Sequence, residues 1–219
     1  MNIIEPSFEV LTEIDKDKIL KTVERVGRTC YKSEDKITEG SSEKFVTGII
    51  NRGHEAVIEH YNITVILTND RGVSHEEVRH RIASYAQEST RYCNYSGDKF
   101  GNEITYIDIR GGIDLDPKMK NLPANVVEAI YDEWVYACLD AERHYLKMIE
   151  LGATPQIARS VLNNSTKTEI AITMNMREWR HFFKLRTSPA SHPQMREIAI
   201  MLLNWFKENI PVFFDDINP

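Results

Sequence analysis

Cysteine is scarce and scattered in this chain. The three thiols, Cys30, Cys93 and Cys138, form no CxxC pair, no His/Cys cluster at metal-ligand spacing and no even-numbered framework. That pattern excludes a disulfide scaffold and a thiolate metal centre, and no metal is expected; free thiols in a reducing compartment fit it. Long apolar runs are missing too, since none approaches the ~20 residues that a bilayer crossing needs. The opening Met1-Asn-Ile-Ile-Glu-Pro-Ser7 lacks both the basic and the apolar segment of a secretion signal. A cytoplasmic protein with no membrane partner is expected. Positive charge is also short: 27 Lys and Arg against 33 Asp and Glu leave a formal net charge of −6. Non-specific nucleic-acid affinity comes from many phosphate-neutralising cations, so no nucleic-acid partner is expected. Any phosphate bound here must be gripped locally.

What is present is ordinary for a folded enzyme-sized chain. With 219 residues, 42% of them hydrophobic, the length suits one well-buried core, and residues 1–219 are expected to form a single domain. Ile19, Leu20, Val23, Val26 and Cys30 recur at helical spacing over 15–30, and Ser42 is placed to cap a second helix through Phe45, Val46, Ile49 and Ile50. Alternation of Tyr61, Ile63, Val65 and Leu67 predicts a strand, which Asn69-Asp-Arg-Gly72 should end in a turn. Ser74, three residues before Glu77, matches a capping box and predicts a helix running at least through Ala83. Further along, a strand is predicted over 103–109 and a long helix from Pro123 to about Leu151, stopped by Gly152. A short helix follows with Thr154 as cap and Pro155 at its first position, then a strand through Ile170, Ile172 and Met174, and helices over 177–185 and 192–209. The regular βα alternation and glycine-rich turns of a doubly wound nucleotide fold are absent. The expected class is α+β: a mainly antiparallel sheet flanked by helices, not a Rossmann fold.

The densest chemistry lies in Arg79-His-Arg-Ile-Ala-Ser-Tyr-Ala-Gln-Glu-Ser-Thr-Arg-Tyr92. On the predicted helix, side chains ~100° apart would fan Arg79, His80 and Arg81 away from one another. They would then serve several ligand groups, or several subunits. A solvated face with ion pairs to Glu76 and Glu77 is the plainer alternative, and the arginines and tyrosines here also suit a single-stranded RNA surface, against the acidic balance.

The stretch resembles the signature of flavin-dependent thymidylate synthases, RHR followed by seven residues and Ser, with Arg79-His80-Arg81 and Ser89 in place and Ser84, Arg91 and Tyr92 extending the match. Gly53-His54-Glu55 with Glu59-His60 upstream, and Arg159, Asn175, Arg177, His181 and Arg186 downstream, follow in the family's order, so the likeness spans roughly residues 45–205. It implies reductive methylation of dUMP to dTMP, with FAD as cofactor and NADPH and 5,10-methylenetetrahydrofolate as co-substrates. It also implies a homotetramer whose active sites are shared between subunits. By the same resemblance Arg79, Gln87, Ser89, Arg91, Arg159 and Arg186 surround dUMP, with Glu76 nearby, and Arg186 is the first candidate for a catalytic role. His54, Arg79, His80, Arg81, Asn175, Arg177 and His181 would contact FAD. For His54 and His181 a structural histidine is an equal alternative, and Asn175 equally suits a strand end. The chain departs from the family pattern with Glu76 where Gln is usual, Ala86-Gln87 where Asn-Glu is usual, and Ala56 where a hydroxyl residue often stands. No side chain is expected to bond covalently to the uracil, although Cys93 and Ser89 lie near.

Overall fold

Alternating apolar side chains decide the centre of the molecule. The computed structural model describes residues 1–219, the side chain of Asp98 excepted. In chain order the strands are β1 (Asn2–Ile4), β2 (Ser7–Val10), β3 (Asn62–Asp70), β4 (Ala83–Gln87), β5 (Thr105–Ile107) and β6 (Lys167–Asn175). The helices are α1 (Lys16–Tyr31), α2 (Ser41–Asn51), α3 (Arg71–Glu77), α4 (Arg110–Leu115), α5 (Ala124–Glu150), α6 (Pro155–Ala158), α7 (Met176–Arg186) and α8 (Pro193–Asn209). A four-stranded antiparallel sheet runs β2-β3-β6-β4, and β1 pairs with β5 in a separate parallel ribbon. The α+β, non-Rossmann expectation holds. Register pairs Ile63 with Met174, Val65 with Ile172 and Leu67 with Ile170, so period-2 alternation puts all six on one buried face. Against that face pack Trp179, Phe182 and Phe183 of α7, Met195, Ile198, Leu202 and Phe206 of α8, Ile19, Leu20 and Val23 of α1, and Phe213 and Phe214. Each such large side chain contributes roughly 1.5–3 kcal/mol through burial. A smaller cluster of Tyr95, Ile104, Tyr106, Cys138 and Tyr145 seats α5, and Tyr106 Oη donates to Cys138 O at 2.9 Å. No helix is long and apolar enough to cross a membrane.

The main elements fall where periodicity puts them, and α5 stops before Gly152, whose φ of 96° takes the left-handed turn glycine permits. Around the chemical motif the structure corrects the expectation. Asn69 and Asp70 complete β3 instead of forming a turn, and Asp70 Oδ1 accepts from Val73 N at 2.6 Å, capping α3 four residues earlier than Ser74 would. Ser74 instead donates to Arg71 O at 2.8 Å. The helix ends at Glu77, residues 78–82 turn back, and Ala83, predicted as helix, opens β4 on the sheet edge. Tyr85 explains the break: its hydroxyl reaches Glu77 O at 2.7 Å and His80 O at 2.6 Å, occupying the Glu77 carbonyl that a continuing helix would use. Arg79, His80 and Arg81 therefore sit after a helix, not on one. Ser42 is not a cap either; Gly40 at φ 75° precedes α2, and Ser41 donates to buried Glu24. The strand expected over 103–109 shortens to three residues, because Asp108 turns to accept from Arg110 N at 2.8 Å. Thr154 makes no side-chain cap bond, and Pro155 alone marks the start of α6.

Candidate active site

Three guanidinium nitrogens of one buried arginine organise the site. Arg186 closes α7 and is 8% exposed. Its Nη1 donates to Glu76 Oε2 at 2.7 Å, its Nη2 to Glu76 O at 2.7 Å and its Nε to His80 Nε2 at 3.0 Å. Because a guanidinium only donates, His80 Nε2 must be the bare nitrogen and its proton lies on Nδ1, which faces Glu178 Oε1 at 3.1 Å. Burial, and then the Arg186 charge, push His80 down to about 4, so the ring is neutral at physiological pH. Burial likewise raises Glu178. The chain Glu76, Arg186, His80, Glu178 is a fixed polar relay with the cation between Glu76 and His80. Of the five guanidinium N–H groups, three are spent within it and two remain for a ligand.

Beyond Glu178 the relay meets a cavity of about 510 Å³ lined by Glu55, Glu59, Ile82, Asn175, Arg177, His181 and Lys184. Asn175 caps α7, its Oδ1 accepting from Glu178 N at 2.8 Å, so only its amide nitrogen can serve a ligand. Arg177 donates to Glu59 Oε1 at 2.6 Å. His181 is exposed, and its ring centroid lies 5.5 Å from that of His80. His54 is not in this cavity. It lines another, of about 330 Å³, with Ala56, Phe45, Ile49 and Val57. The short turn Glu55–His60 thus presents residues 54 and 56 to one cavity and 55 and 59 to the other.

The remaining nucleotide candidates gather beyond the far end of β4. Gln87 Nε2 donates to Ser74 Oγ at 2.9 Å and to Thr168 Oγ1 at 3.2 Å, and Ser89 Oγ accepts from Arg91 N at 3.3 Å. Arg91 reaches Gln156 at 3.3 Å, and Arg159 reaches Thr90 at 3.2 Å. Among the described residues Arg79, Arg81, Arg91 and Arg159 have no carboxylate partner, and all four are exposed. One chain thus carries two groups, Glu76 and Arg186 with His80, and Gln87 to Arg91 with Arg159. Gln87 links them, since its partner Ser74 lies on α3 two residues before Glu76. Of the cavity lining, Glu55, Glu59, Ile82, Glu178 and Lys184 were not among the sequence candidates. Glu55 and Glu59 had a signal in the segment around His54 and His60, and Glu178 in standing three residues after the capping Asn175. Cys93 is no activated nucleophile, since burial raises its thiol.

Comparison with known proteins places the chain. The family model described as "Thymidylate synthase complementing protein" matches residues 12–212. The flavin-dependent thymidylate synthase of Geobacter sulfurreducens is 32% identical over 199 residues, covering 88% of this chain and 79% of that one. Those of Corynebacterium diphtheriae and Pyrococcus furiosus are 31% and 32% identical, covering 89% and 88% of this chain and 77% and 72% of theirs. In fold, the chain is similar to a UMP/dUMP methylase, PolB from Streptomyces cacaoi, solved with 5-Br dUMP, with a TM-score of 0.79, 22% identity, and coverage of 98% of this chain and 96% of that one. With the RHR motif, its ordered partners and a match over nearly the whole length, the chain belongs to the flavin-dependent thymidylate synthase family.

Proposed function

We infer that this protein makes dTMP from dUMP, with 5,10-methylenetetrahydrofolate as carbon donor and NADPH as reductant through FAD. The observation that carries the reading is Arg186: a buried cation oriented at all three nitrogens and linked through His80 and Glu178 to a cavity of the size that takes small ligands. A fixed guanidinium there stabilises negative charge on the uracil carbonyl or N3 without reorganising and without losing its own proton. Glu76 grips Arg186 through side chain and backbone, so its part is to aim the cation rather than to hold nucleotide. Arg91 and Arg159, with Ser89 and Gln87, offer the paired and single donors that a nucleotide phosphate and sugar accept.

The residues suit FAD. Asn175, Arg177 and His181 place donors on the wall of the larger cavity and Ile82 an apolar surface, while Arg79 and Arg81 are unneutralised cations fit for a pyrophosphate. Two cavities flanking the turn at 54–60 suit a long, two-ended ligand, with His54 at the second. His80 has both ring nitrogens occupied, so it supports the site from behind. When bound and reduced, the flavin supplies the hydride; the protein holds the reactants in place and excludes water.

Exposed Arg79, Arg81, Arg91 and Arg159, without carboxylate partners among the described residues, favour a centre completed by a second chain, in a homotetramer of single-domain subunits working in the cytoplasm. Exposed Val78, Ile82 and Leu185, at 42%, 67% and 47%, lie next in sequence to the Arg186 relay, where such a chain would cover them. Purified protein given FAD, dUMP, 5,10-methylenetetrahydrofolate and NADPH should yield dTMP and tetrahydrofolate, and omission of FAD should abolish both. NADPH oxidation with no dTMP formed would sink the reading.

A further inference from the structure

Two buried polar atoms stand without partners on adjoining side chains at the base of the site, Asn69 Oδ1 and Glu77 Oε2. The same two residues are already joined, Asn69 Nδ2 donating to Glu77 Oε1. Asn69 is 1% exposed and Glu77 fully buried, so bulk solvent does not reach either orphan. Both orphans are acceptors, and buried acceptors without a donor are costly. A single proton on Glu77 Oε2, donated to Asn69 Oδ1, satisfies both and closes a ring with the bond already present. We propose that Glu77 is a neutral carboxylic acid in a reciprocal acid–amide pair with Asn69, and that this pair is a positioning element fixing the corner from which Glu76 and His80 hold Arg186.

The surroundings agree. Burial pushes the Glu77 carboxyl up to about 8; the Asn69 bond and Arg186 of α7 oppose this, and Asp70 of β3 adds to it. From β4 the group facing Glu77 is Tyr85, whose hydroxyl donates to the Glu77 and His80 carbonyls. From β6 the residue opposite Asn69 is uncharged Thr168. His192, just ahead of α8, acts on Asp70, and Asp70 acts in turn on Glu197 of α8. Glu77 is thus the residue where β3, α3, β4 and the arginine relay meet. The positioning role rests on the reading of Arg186 given above, whereas the protonation does not, so the two can fail separately.

Carboxyl-carbon NMR of wild-type protein labelled with 13C-glutamate tests the protonation directly. One resonance should stay in the protonated position at pH 7 and titrate near 8, vanish in E77Q and persist in E197Q, the latter because Glu197 is itself pushed up to about 7. If E77Q does not fold, E197Q and E178Q assign the same resonance by elimination. Absence of a late-titrating resonance other than those two overturns the proposal. Stability gives a second readout. Below pH 4.5 the acid is protonated folded and unfolded; between 4.5 and about 8 only the folded state keeps the proton, so wild type loses stability as pH rises, and above 8 the loss is complete. The amide introduced by E77Q can form the same ring without a titrating proton. The Tm of E77Q minus that of wild type should therefore grow from pH 4.5 to 8 and then level; a difference independent of pH contradicts the neutral acid. Finally, the ratio of kcat in E77Q to kcat in wild type should be flat below pH 7 and rise through 8, to about tenfold at pH 9. A flat ratio to pH 9 overturns the positioning role.

Discussion

Arg186 and His80 depend on each other because one can only donate and the other is left able to accept. Replacing Arg186 by Lys keeps the charge but cannot reproduce three divergent bonds to Glu76 and His80, so two supports are lost together with the planar donor edge. Arg186→Lys should lower kcat by about 10² or more, with KM for dUMP changed much less, in steady-state assays. Near-normal turnover would remove Arg186 from the chemistry. His80 carries a separate consequence for acid stability. Its folded pKa near 4 lies below the unfolded 6.5, so the unfolded state takes up the proton first as pH falls, and stability is lost between 6.5 and 4. The loss is at most about 3 kcal/mol. Wild type minus His80→Gln, compared by denaturant unfolding, should shrink over that window, and the difference isolates this group because the carboxyls titrate in both proteins. A constant difference would mean that His80 is not held neutral.

At the level of elements, the turn between α3 and β4 is set by tertiary bonds more than by local signals. Tyr85→Phe removes the hydroxyl that satisfies the Glu77 and His80 carbonyls, and should cost about 1–2 kcal/mol in urea unfolding while loosening His80 against Arg186. A fully stable, fully active variant would show the turn to be held by other contacts. The same bonds explain what the sequence could and could not reveal. Strands β3 and β6 and helices α5, α7 and α8 were legible because each carries several periods of apolar spacing. The capping box at Ser74 and Glu77 misled, since Asp70 caps α3 first and Tyr85 ends it, and neither effect is visible without the fold. The three- and four-residue strands β1 and β2 exist by pairing with β5 and β3, and carry too little pattern to read. The motif and resemblance picked out the arginines and histidines in order. Ile82 and Lys184 join the site through the cavity's shape alone, and nothing in the sequence marks the acid–amide partnership of Asn69 and Glu77.

At the scale of the whole molecule, the proposed centre is shared between two chains. Arg91 and Arg159 are exposed with no carboxylate partner among the described residues, and the surface by Arg186 and Glu76 exposes Val78, Ile82 and Leu185. Under that proposal a bound nucleotide takes its phosphate donors from one subunit and its catalytic cation from another. Subunit mixing tests this most directly. Arg186→Ala and Arg159→Ala proteins, each checked as folded tetramers and each nearly inactive, are combined in equal amounts under conditions of subunit exchange, and dTMP formation is measured. Random assembly gives one intact pairing in four, so activity should return to about one quarter of wild type. Tetramers that exchange subunits and still make no dTMP would contradict a centre built from two chains.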